Sequence, residues 1–388
     1  MKIKPHILPV IVIAQFACTS PWFAGNTIID ELTLKTGLGT EIMGWVLSSV
    51  QLGFIIGTLV YAIFMIADRF APSKVFMFSA VIAALCNLWL LQENLDKWDL
   101  LFARFGTGFF LAGIYPVGMK IASDYYEQGL GRALGFLVGA LVLGTAFPYL
   151  VNGTLWGSNP DTVIKLTSAF TVFGGLAINF LVPNGPFRKA SNTLDFSIGT
   201  KLFGIVGFRK AAFGYFGHMW ELYAFWAFTP FAISSYNEIF KSNISISFWT
   251  GIVIAFGGLS SAIGGLFSQK WGSKKVAVFA LTISGIFCLI SPLLFQSSTA
   301  IFLGGWCLWG MAVTADSPQF SSLVASSLSP ELKGTGLTLV NCLGFGITIV
   351  SIQLLALMTD KISPIFIFII LSIGPIIGLS QLMGAKNN

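Results

Sequence analysis

Long runs of apolar residues, separated by short polar segments, dominate the chain. A helix that crosses a bilayer needs about 20 predominantly apolar residues, and windows of that length predict twelve membrane-spanning helices. The predicted spans are residues 7–31, 42–67, 74–94, 99–123, 132–152, 163–183, 209–236, 246–268, 275–295, 300–325, 335–358 and 364–384. We interpret the first span as a retained helix and not as a cleaved signal peptide, because no small-x-small cleavage site stands out.

The polar connections between the spans are short, with one exception. Between the sixth and seventh spans, residues 183–199 form a polar stretch that is rich in turn-forming residues. This stretch divides the chain into an N-terminal six-helix bundle over residues 1–183, a cytoplasmic linker over residues 184–208 and a C-terminal six-helix bundle over residues 209–388. The predicted fold class is therefore an all-α membrane protein with twelve transmembrane helices in two six-helix repeats.

The composition supports a membrane protein. Only 10% of the 388 residues are charged and 55% are hydrophobic, whereas soluble domains carry roughly a quarter charged residues. Such a composition excludes a cytosolic enzyme, a nucleic-acid binder and a disordered scaffold. The sequence contains no phosphate-binding loop for ATP. The five cysteines have neither disulfide-framework nor zinc-site spacing, so we predict no metal and no cofactor.

The distribution of Lys and Arg predicts the orientation of the chain, because cytoplasmic loops carry an excess of basic residues. With the N-terminus inside, most basic loop residues lie on the cytoplasmic side. The basic residues that fall outside are Lys35, Lys97, Lys165, Lys241 and Lys361. We therefore expect both termini in the cytoplasm, a bacterial inner membrane as the location, and a chain that functions as a monomer in the lipid bilayer.

The two halves of the chain repeat each other. The loop at residues 67–74 aligns with the loop at residues 268–275 at a shift of 201, and Pro116 and Pro318 are 202 residues apart. Parallel six-span repeats are a known arrangement of alternating-access transporters, whose substrate site lies near mid-membrane where the repeats meet.

Five ionisable residues fall deep within predicted spans, namely Arg104 and Lys120 on span four, His218 and Glu221 on span seven, and Asp316 on span ten. Such residues cost at least about 2 kcal/mol each and normally face a cavity or a partner. His218 and Glu221 lie three residues apart on one helical face, where they can relay a proton because imidazole titrates near neutrality. We predict Glu221, His218 and Asp316 as proton-coupling residues; the alternative is a structural pair that holds span seven against a neighbour.

The two intramembrane cations predict contact with the substrate. Arg104 and Lys120 can attract an anion, or they can neutralise Asp316 and Glu221. Lys120 can also extend its ammonium group to the cytoplasmic boundary, and Arg104 can pair with Asp99. Polar and aromatic side chains on spans one, four and seven complete the predicted substrate-binding set, which comprises Lys120, Arg104, Tyr115, Trp220, Tyr223, Gln15 and Asn26.

The twelve-span repeat resembles the major facilitator superfamily over essentially the whole chain. That family carries the pattern G-x-x-x-D-R-x-G-R-R/K after span two and a weaker copy after span eight. The first loop here keeps Asp68 and Arg69 but has Ala71 at the second glycine position, and the second loop has Lys270 and Gly272. The resemblance implies that Asp68, Arg69, Lys270 and Gly272 form a conformational latch, and that spans one, four, seven and ten line a central cavity. The alternative is that the basic residues only set the topology.

Three segments, at residues 114–120, 217–223 and 315–320, are similar to bacterial nitrate- and cyanate-type anion porters, although the glycine-rich signature of nitrate carriers is not clearly present. The resemblance implies a secondary active transporter that moves a small solute, expected to be an anion, by proton symport. The expected partners are this solute, protons and the bilayer. Efflux of an amphipathic compound is the alternative within transport. A membrane sensor and an intramembrane enzyme are the alternatives outside it.

Overall fold

A computed structural model describes residues 4–37, 42–126, 130–154, 159–188, 199–329 and 332–384. Over these ranges the chain is helical, and they contain no β-strand. The helices of the N-terminal half are α1 Ile7–Thr19, α2 Ala24–Thr27, α3 Ile29–Thr36, α4 Ile42–Ile63, α5 Ile66–Arg69, α6 Pro72–Leu88, α7 Lys97–Leu111, α8 Tyr115–Tyr125, α9 Leu130–Asn152 and α10 Pro160–Leu181.

The C-terminal half is built in the same way. Its helices are α11 Gly199–Leu202, α12 Val206–Phe240, α13 Ile246–Trp271, α14 Ser273–Phe295, α15 Thr299–Ala315, α16 Ser317–Ser326, α17 Lys333–Met358, α18 Pro364–Ile367 and α19 Ile373–Met383. Short 3-10 turns at Ser20–Trp22, Trp89–Leu91 and Phe368–Ser372 connect or extend the helices.

Internal packing divides the chain into two compact units. The first unit contains residues 1–193 and 245–255, and the second contains residues 194–244 and 256–388. Part of the predicted linker, residues 189–198, lies outside the described residues, so the limits of the linker stay a prediction.

In the first unit, α4 packs along α7, α6 packs along α10, and α1 lies against α9 and α10. The close approach of α4 and α7 depends on small residues. A Cβ atom at Gly53 or Gly57 would overlap the backbone of α7, and one at Gly108 would overlap the carbonyl of Val50. Glycine at these positions lets the two backbones touch, as is common between membrane helices.

In the second unit, the long helix α12 packs against α16, α17 and α19, and α14 packs against α15. Gly217 of α12 faces Gly374 of α19, and a Cβ atom on either would overlap the other's carbonyl. The contact places α12 at the centre of the second unit, where its side chains are surrounded by neighbouring helices.

Nine helical stretches among the described residues are long and apolar enough to cross a membrane. The three predicted spans outside this group are spans one, seven and ten. The apolar helix of span one is shorter, at Ile7–Trp22. Span seven is long but carries His218 and Glu221 in its middle, and span ten is interrupted at Asp316. These three spans are therefore the ones in which polar residues shorten or dilute the apolar run.

Spans four and ten each break just before the proline that marks the repeat, Pro116 and Pro318 respectively. Span four ends its first helix at Leu111 and restarts at Tyr115, and Pro116 lies in the first turn of the new helix. Proline lacks a backbone donor, so it fits a first turn, where no partner is needed. In span ten, Pro318 occupies the same place in α16. The carbonyl of Thr314, which Pro318 leaves without its helical donor, accepts a hydrogen bond from Ser261 Oγ (3.1 Å).

Candidate functional site

Arg104 is a fully buried cation in the first unit. Its Nη1 donates to the carbonyl of Pro21 (3.1 Å), and its Nη2 donates to the carbonyl of Trp22 and to Oδ1 of Asn26 (3.4 Å). Both carbonyls belong to the 3-10 turn at Ser20–Trp22, where span one breaks. Arg104 thereby ties α7 to the break in span one, and Asn26 takes part in the same contact.

In the described part of the chain, the guanidinium of Arg104 has one N–H donor without an acceptor. Among the described residues, no carboxylate oxygen lies within 4.0 Å of it, and its buried Nε has no acceptor. The alternative partner Asp99 instead forms a capping box with Asp96 at the start of α7. Gly25 lies flat against the guanidinium, where a Cβ atom would overlap it. A buried cation with an unused donor is suited to receiving an anionic or hydrogen-bond-accepting group.

Gln15 on α1 is a second polar residue with unused capacity. It is fully buried, and neither its Nε2 nor its Oε1 has a hydrogen-bond partner in the described part of the chain. Oε1 lies against Gly118 of α8, where a Cβ atom would displace it. Tyr115, one turn earlier on α8, is half-buried. An unsatisfied buried amide group costs about 1–3 kcal/mol, so Gln15 remains a candidate ligand for the substrate.

Glu221 is a fully buried acid of the second unit, with 0% of its surface exposed. Its Oε1 accepts from Trp309 Nε1 (2.6 Å) and from Cys288 Sγ (3.3 Å), and its Oε2 accepts from Ser284 Oγ (2.9 Å). No basic group of the described residues lies within 4.0 Å. The carboxyl group thus joins α12 to α14 and α15 through neutral donors.

Sequence reasoning missed the three donors to Glu221. Ser284 and Cys288 are four residues apart, hence on one face of α14, but a serine and a cysteine in an apolar span carry no distinguishing signal. Trp309 is similarly unremarkable in sequence. These donors lie 63 to 88 residues from Glu221 along the chain, so only the folded structure shows that they surround its carboxyl group.

His218 lies between two partners at the break in span ten. Its Nδ1 is 2.8 Å from Asp316 Oδ1, and its Nε2 is 2.8 Å from Ser317 Oγ. His218 and Asp316 are fully buried, and Oδ2 of Asp316 has no donor among the described residues. The predicted proton-coupling roles of His218, Asp316 and Glu221 stay predictions. The side chains of His218 and Glu221 share a helical face, but each binds a nearer partner from α14, α15 or α16.

The predicted aromatic residues of span seven contact their neighbours within the second unit. Trp220 Nε1 donates to the carbonyl of Ile370 (3.3 Å). Tyr223 is buried, with its ring 5.3 Å from that of Trp226 and 5.2 Å from that of Phe345. Their part in substrate binding stays a prediction.

Lys120 belongs to a charged cluster at the loop after span two. Its Nζ is 2.8 Å from Asp68 Oδ1 and 4.0 Å from Asp124 Oδ1. Arg188 Nη2 donates to the carbonyls of Asp68 (3.0 Å) and Phe70 (2.9 Å). We call Asp68, Lys120, Asp124 and Arg188 the loop cluster. The position of Lys120 near the end of α8 brings its long side chain to the loop, and its predicted part in substrate binding stays a prediction.

The second latch loop joins α13 to α14. Gly272 caps α14 with φ of 82°, a left-handed conformation that favours glycine. Lys270 lies in the last turn of α13, where a positive charge complements the helix dipole, and Arg69 holds the same place in α5. The described residues contain no group of three or more His, Cys, Asp or Glu side chains that could hold a metal ion.

Two helical units built from long apolar helices are typical of an integral, multi-pass membrane protein. The sequence model of the Major Facilitator Superfamily matches residues 11–211, which is more than half of the chain. The chain therefore belongs to the major facilitator superfamily, and the predicted fold class is confirmed. The chain is accordingly a secondary transporter of a small solute. No curated protein sequence matches it.

Solved structures show the same fold at low sequence identity. A variant of the nucleoside transporter NupG has a TM-score of 0.73 and 15% identity, with 97% of this chain and 99% of that chain covered. An inward-facing, occupied structure of a bacterial homologue of the human lysosomal transporter Spinster has a TM-score of 0.71 and 14% identity, with 98% and 97% covered. The unoccupied, inward-facing structure of that homologue gives 0.69 and 15%, with 98% and 94% covered.

Proposed function

We propose that the chain is a proton-coupled secondary transporter that works by alternating access, with Glu221, His218 and Asp316 as its proton-binding residues. The observation that carries this proposal is the pair of fully buried carboxyl groups in the second unit. Glu221 is surrounded by neutral donors, and Asp316 faces an imidazole. An ionised carboxylate without a counter-charge is costly to bury, and reversible protonation removes that cost.

The distribution of basic residues among the loops supports the expected orientation of the chain in the membrane. Basic residues concentrate in the loops that would face the cytoplasm, including those that hold Lys74, Lys270 and Lys275. With this orientation both termini lie in the cytoplasm, and the membrane is the bacterial inner membrane. The six-helix bundles at residues 1–183 and 209–388 then act as the two moving parts.

Reconstitution into proteoliposomes tests the coupling. A thermal-stability screen of the purified protein over small organic and inorganic ions first identifies a binding solute. Uptake of that solute is then measured under an imposed pH gradient, with the membrane potential clamped by potassium and valinomycin. Accumulation that collapses when a protonophore is added supports the proposal. Accumulation that is unaffected by the protonophore contradicts it.

We further propose that the cargo is a small anion that contacts Arg104. With Lys120 held in the loop cluster, Arg104 is the buried cation that supports an anionic cargo, and its Nε–H has no acceptor among the described residues. Because the buried guanidinium of Arg104 has no carboxylate partner among the described residues, an anionic cargo would supply the missing counter-charge. Gln15 and Asn26 supply amide groups on the same span that Arg104 contacts.

Substitution of Arg104 distinguishes an anionic cargo from an amphipathic one. Arg104→Gln is expected to weaken anion binding by about 1.5–3 kcal/mol, the contribution of a hydrogen bond to a charged group. Arg104→Lys should retain part of the affinity, because it keeps the charge and loses the planar fork. Isothermal titration of protein shown to be folded measures both. Equal affinity in all three proteins would remove the reason for an anionic cargo and favour efflux of an amphipathic compound.

The loop cluster is expected to govern the rate of conformational change. Asp68→Asn and Lys120→Gln should each slow exchange of labelled substrate with little change in affinity, because both remove the 2.8 Å ion pair of the loop. The double variant should be less slow than the sum of the two single effects, since both changes remove the same ion pair. Lys74→Gln, an exposed lysine of the same loop, is the control. A large loss of affinity with normal turnover would contradict the latch role.

A further inference from the structure

The hydroxyl of Ser284 lies between two acceptors. Ser284 Oγ is 2.9 Å from Oε2 of Glu221 and 3.2 Å from the carbonyl oxygen of Leu281. A hydroxyl group has one proton to donate and two lone pairs with which to accept. Ser284 can therefore donate to only one of these oxygens at a time, although it is within reach of both.

The other oxygen of Glu221 is occupied by groups that donate. Trp309 Nε1, which is a donor only, lies 2.6 Å from Oε1, and the Cys288 thiol lies 3.3 Å from it. A proton on Oε1 would confront the indole N–H and leave the indole without an acceptor. A proton on Oε2 faces Ser284 Oγ, which can accept it. The surroundings of Glu221 therefore distinguish its two oxygens.

We propose that Ser284 positions the coupling proton on Oε2 of Glu221 by reversing its own hydrogen bond. While Glu221 is ionised, Ser284 donates to Oε2. When a proton binds, an O–H bond forms on Oε2, this O–H donates to Ser284 Oγ, and the serine proton turns to the carbonyl of Leu281. Every group keeps a partner in both states, and the net change is the gain of one proton. The inference rests on the proposed role of Glu221 as a coupling residue.

No basic side chain of the described residues lies within 4.0 Å of the Glu221 carboxyl group, so its proton exchange involves neutral groups. The other ionisable side chains that act on Glu221 among the described residues are Cys288 of α14 and Asp316 at the end of α15. On α12 itself, His218 is turned towards Asp316 and Ser317. Because none of these places a positive charge on the carboxylate, a hydroxyl that can serve both states fits the site better than a fixed donor would.

Infrared difference spectroscopy of the purified full-length protein tests the assignment without a known substrate, since the probe is pH alone. Lowering the pH should produce a carboxylic C=O band that is absent in Glu221→Gln. In Ser284→Ala this band should shift, because the O–H has lost its acceptor, and in Ser284→Thr it should return to its original position. Ser291→Ala is the matched control, since Ser291 is also a buried serine of α14 but donates to the Cys288 carbonyl (2.8 Å). Its band should stay in place.

The outcomes separate this inference from the proposed function. A band that Glu221→Gln abolishes and Ser284→Ala leaves unmoved would overturn the role of Ser284 and leave Glu221 as the proton site. If Glu221→Gln removes no carboxylic band from the difference spectrum, the proposed role of Glu221 itself would be overturned, whereas a remaining band that Asp316→Asn abolishes belongs to Asp316. Should Ser284→Ala fail to fold, Trp309→Phe tests the same assignment. Loss of a donor to the carbonyl oxygen Oε1 should raise the C=O frequency, and an unchanged frequency would overturn the assignment of the proton to Oε2.

Discussion

Glu221→Gln is expected to abolish accumulation of the substrate against its gradient while leaving exchange across the membrane partly intact. Glutamine has nearly the same shape as protonated glutamate. Its carbonyl oxygen can accept from Trp309, and its NH₂ group can donate to Ser284, as a protonated Oε2 would. The variant therefore mimics protonated Glu221 and cannot release a proton. Exchange does not require net release of the proton, whereas accumulation does, so only accumulation should be lost.

Proteoliposomes loaded with labelled or unlabelled substrate measure both activities on one preparation. Glu238→Gln provides the control, because Glu238 lies on the same helix and is exposed. It should retain accumulation and exchange. If Glu221→Gln still concentrates substrate in response to a pH gradient, then Glu221 is not a coupling residue.

The fold could be predicted from the sequence because a bilayer imposes a length and an apolar composition on every span. The repeat could also be predicted from the sequence, since Pro116 and Pro318 mark equivalent places in the two halves. The helix breaks at Ser20–Trp22 and at Asp316 could not be predicted in this way. A hydropathy window averages over about 20 residues, and a break of one to three residues hardly changes the mean.

The candidate site was predicted in part for a related physical reason. Arg104, Glu221 and Asp316 stand out because a charge inside a bilayer is costly. Their partners do not stand out, because they are neutral side chains or backbone carbonyls far away in sequence. Helical spacing placed His218 and Glu221 on one face, but it carries no information about the side chains that other helices bring to that face.

Lys120 shows the limit of depth as a guide. Its position in span four is compatible with the membrane interior and with a loop at the membrane boundary, and its flexible side chain reaches several ångströms along the helix axis. The contact with Asp68 decides between the two. The argument for an anionic cargo then depends on Arg104.

In both units, a buried ionisable side chain binds the break in another span. In the first unit, Arg104 on span four binds the carbonyls exposed at the break in span one. In the second unit, His218 on span seven binds Asp316 and Ser317 at the break in span ten. Spans one and seven occupy equivalent places in the repeat, as do spans four and ten. Each unit therefore joins its first and fourth spans through a buried ionisable side chain, with the donor and the break exchanged.

The protein is expected to lose more stability when one partner of the His218–Asp316 pair is replaced than when both are replaced. His218→Gln leaves Asp316 buried without its imidazole, and a buried polar group that loses its partner costs about 1–3 kcal/mol. Asp316→Asn keeps the shape of the side chain and should cost less. In the double variant two neutral amides face each other, and most of the lost stability should return. Chemical denaturation of the four proteins in detergent measures the coupling as a double-mutant cycle.

Additive losses in this cycle would show that His218 and Asp316 stabilise the fold independently, and the 2.8 Å contact would then have no energetic role. Transport by the double variant separates stability from coupling. It is expected to fold and to exchange substrate, because the break in span ten is again held by hydrogen bonds. It should not accumulate substrate in response to a pH gradient if the imidazole and carboxyl group carry a coupling proton. Full accumulation by a stable double variant would leave Glu221 as the site of coupling and assign His218 and Asp316 to the support of span ten.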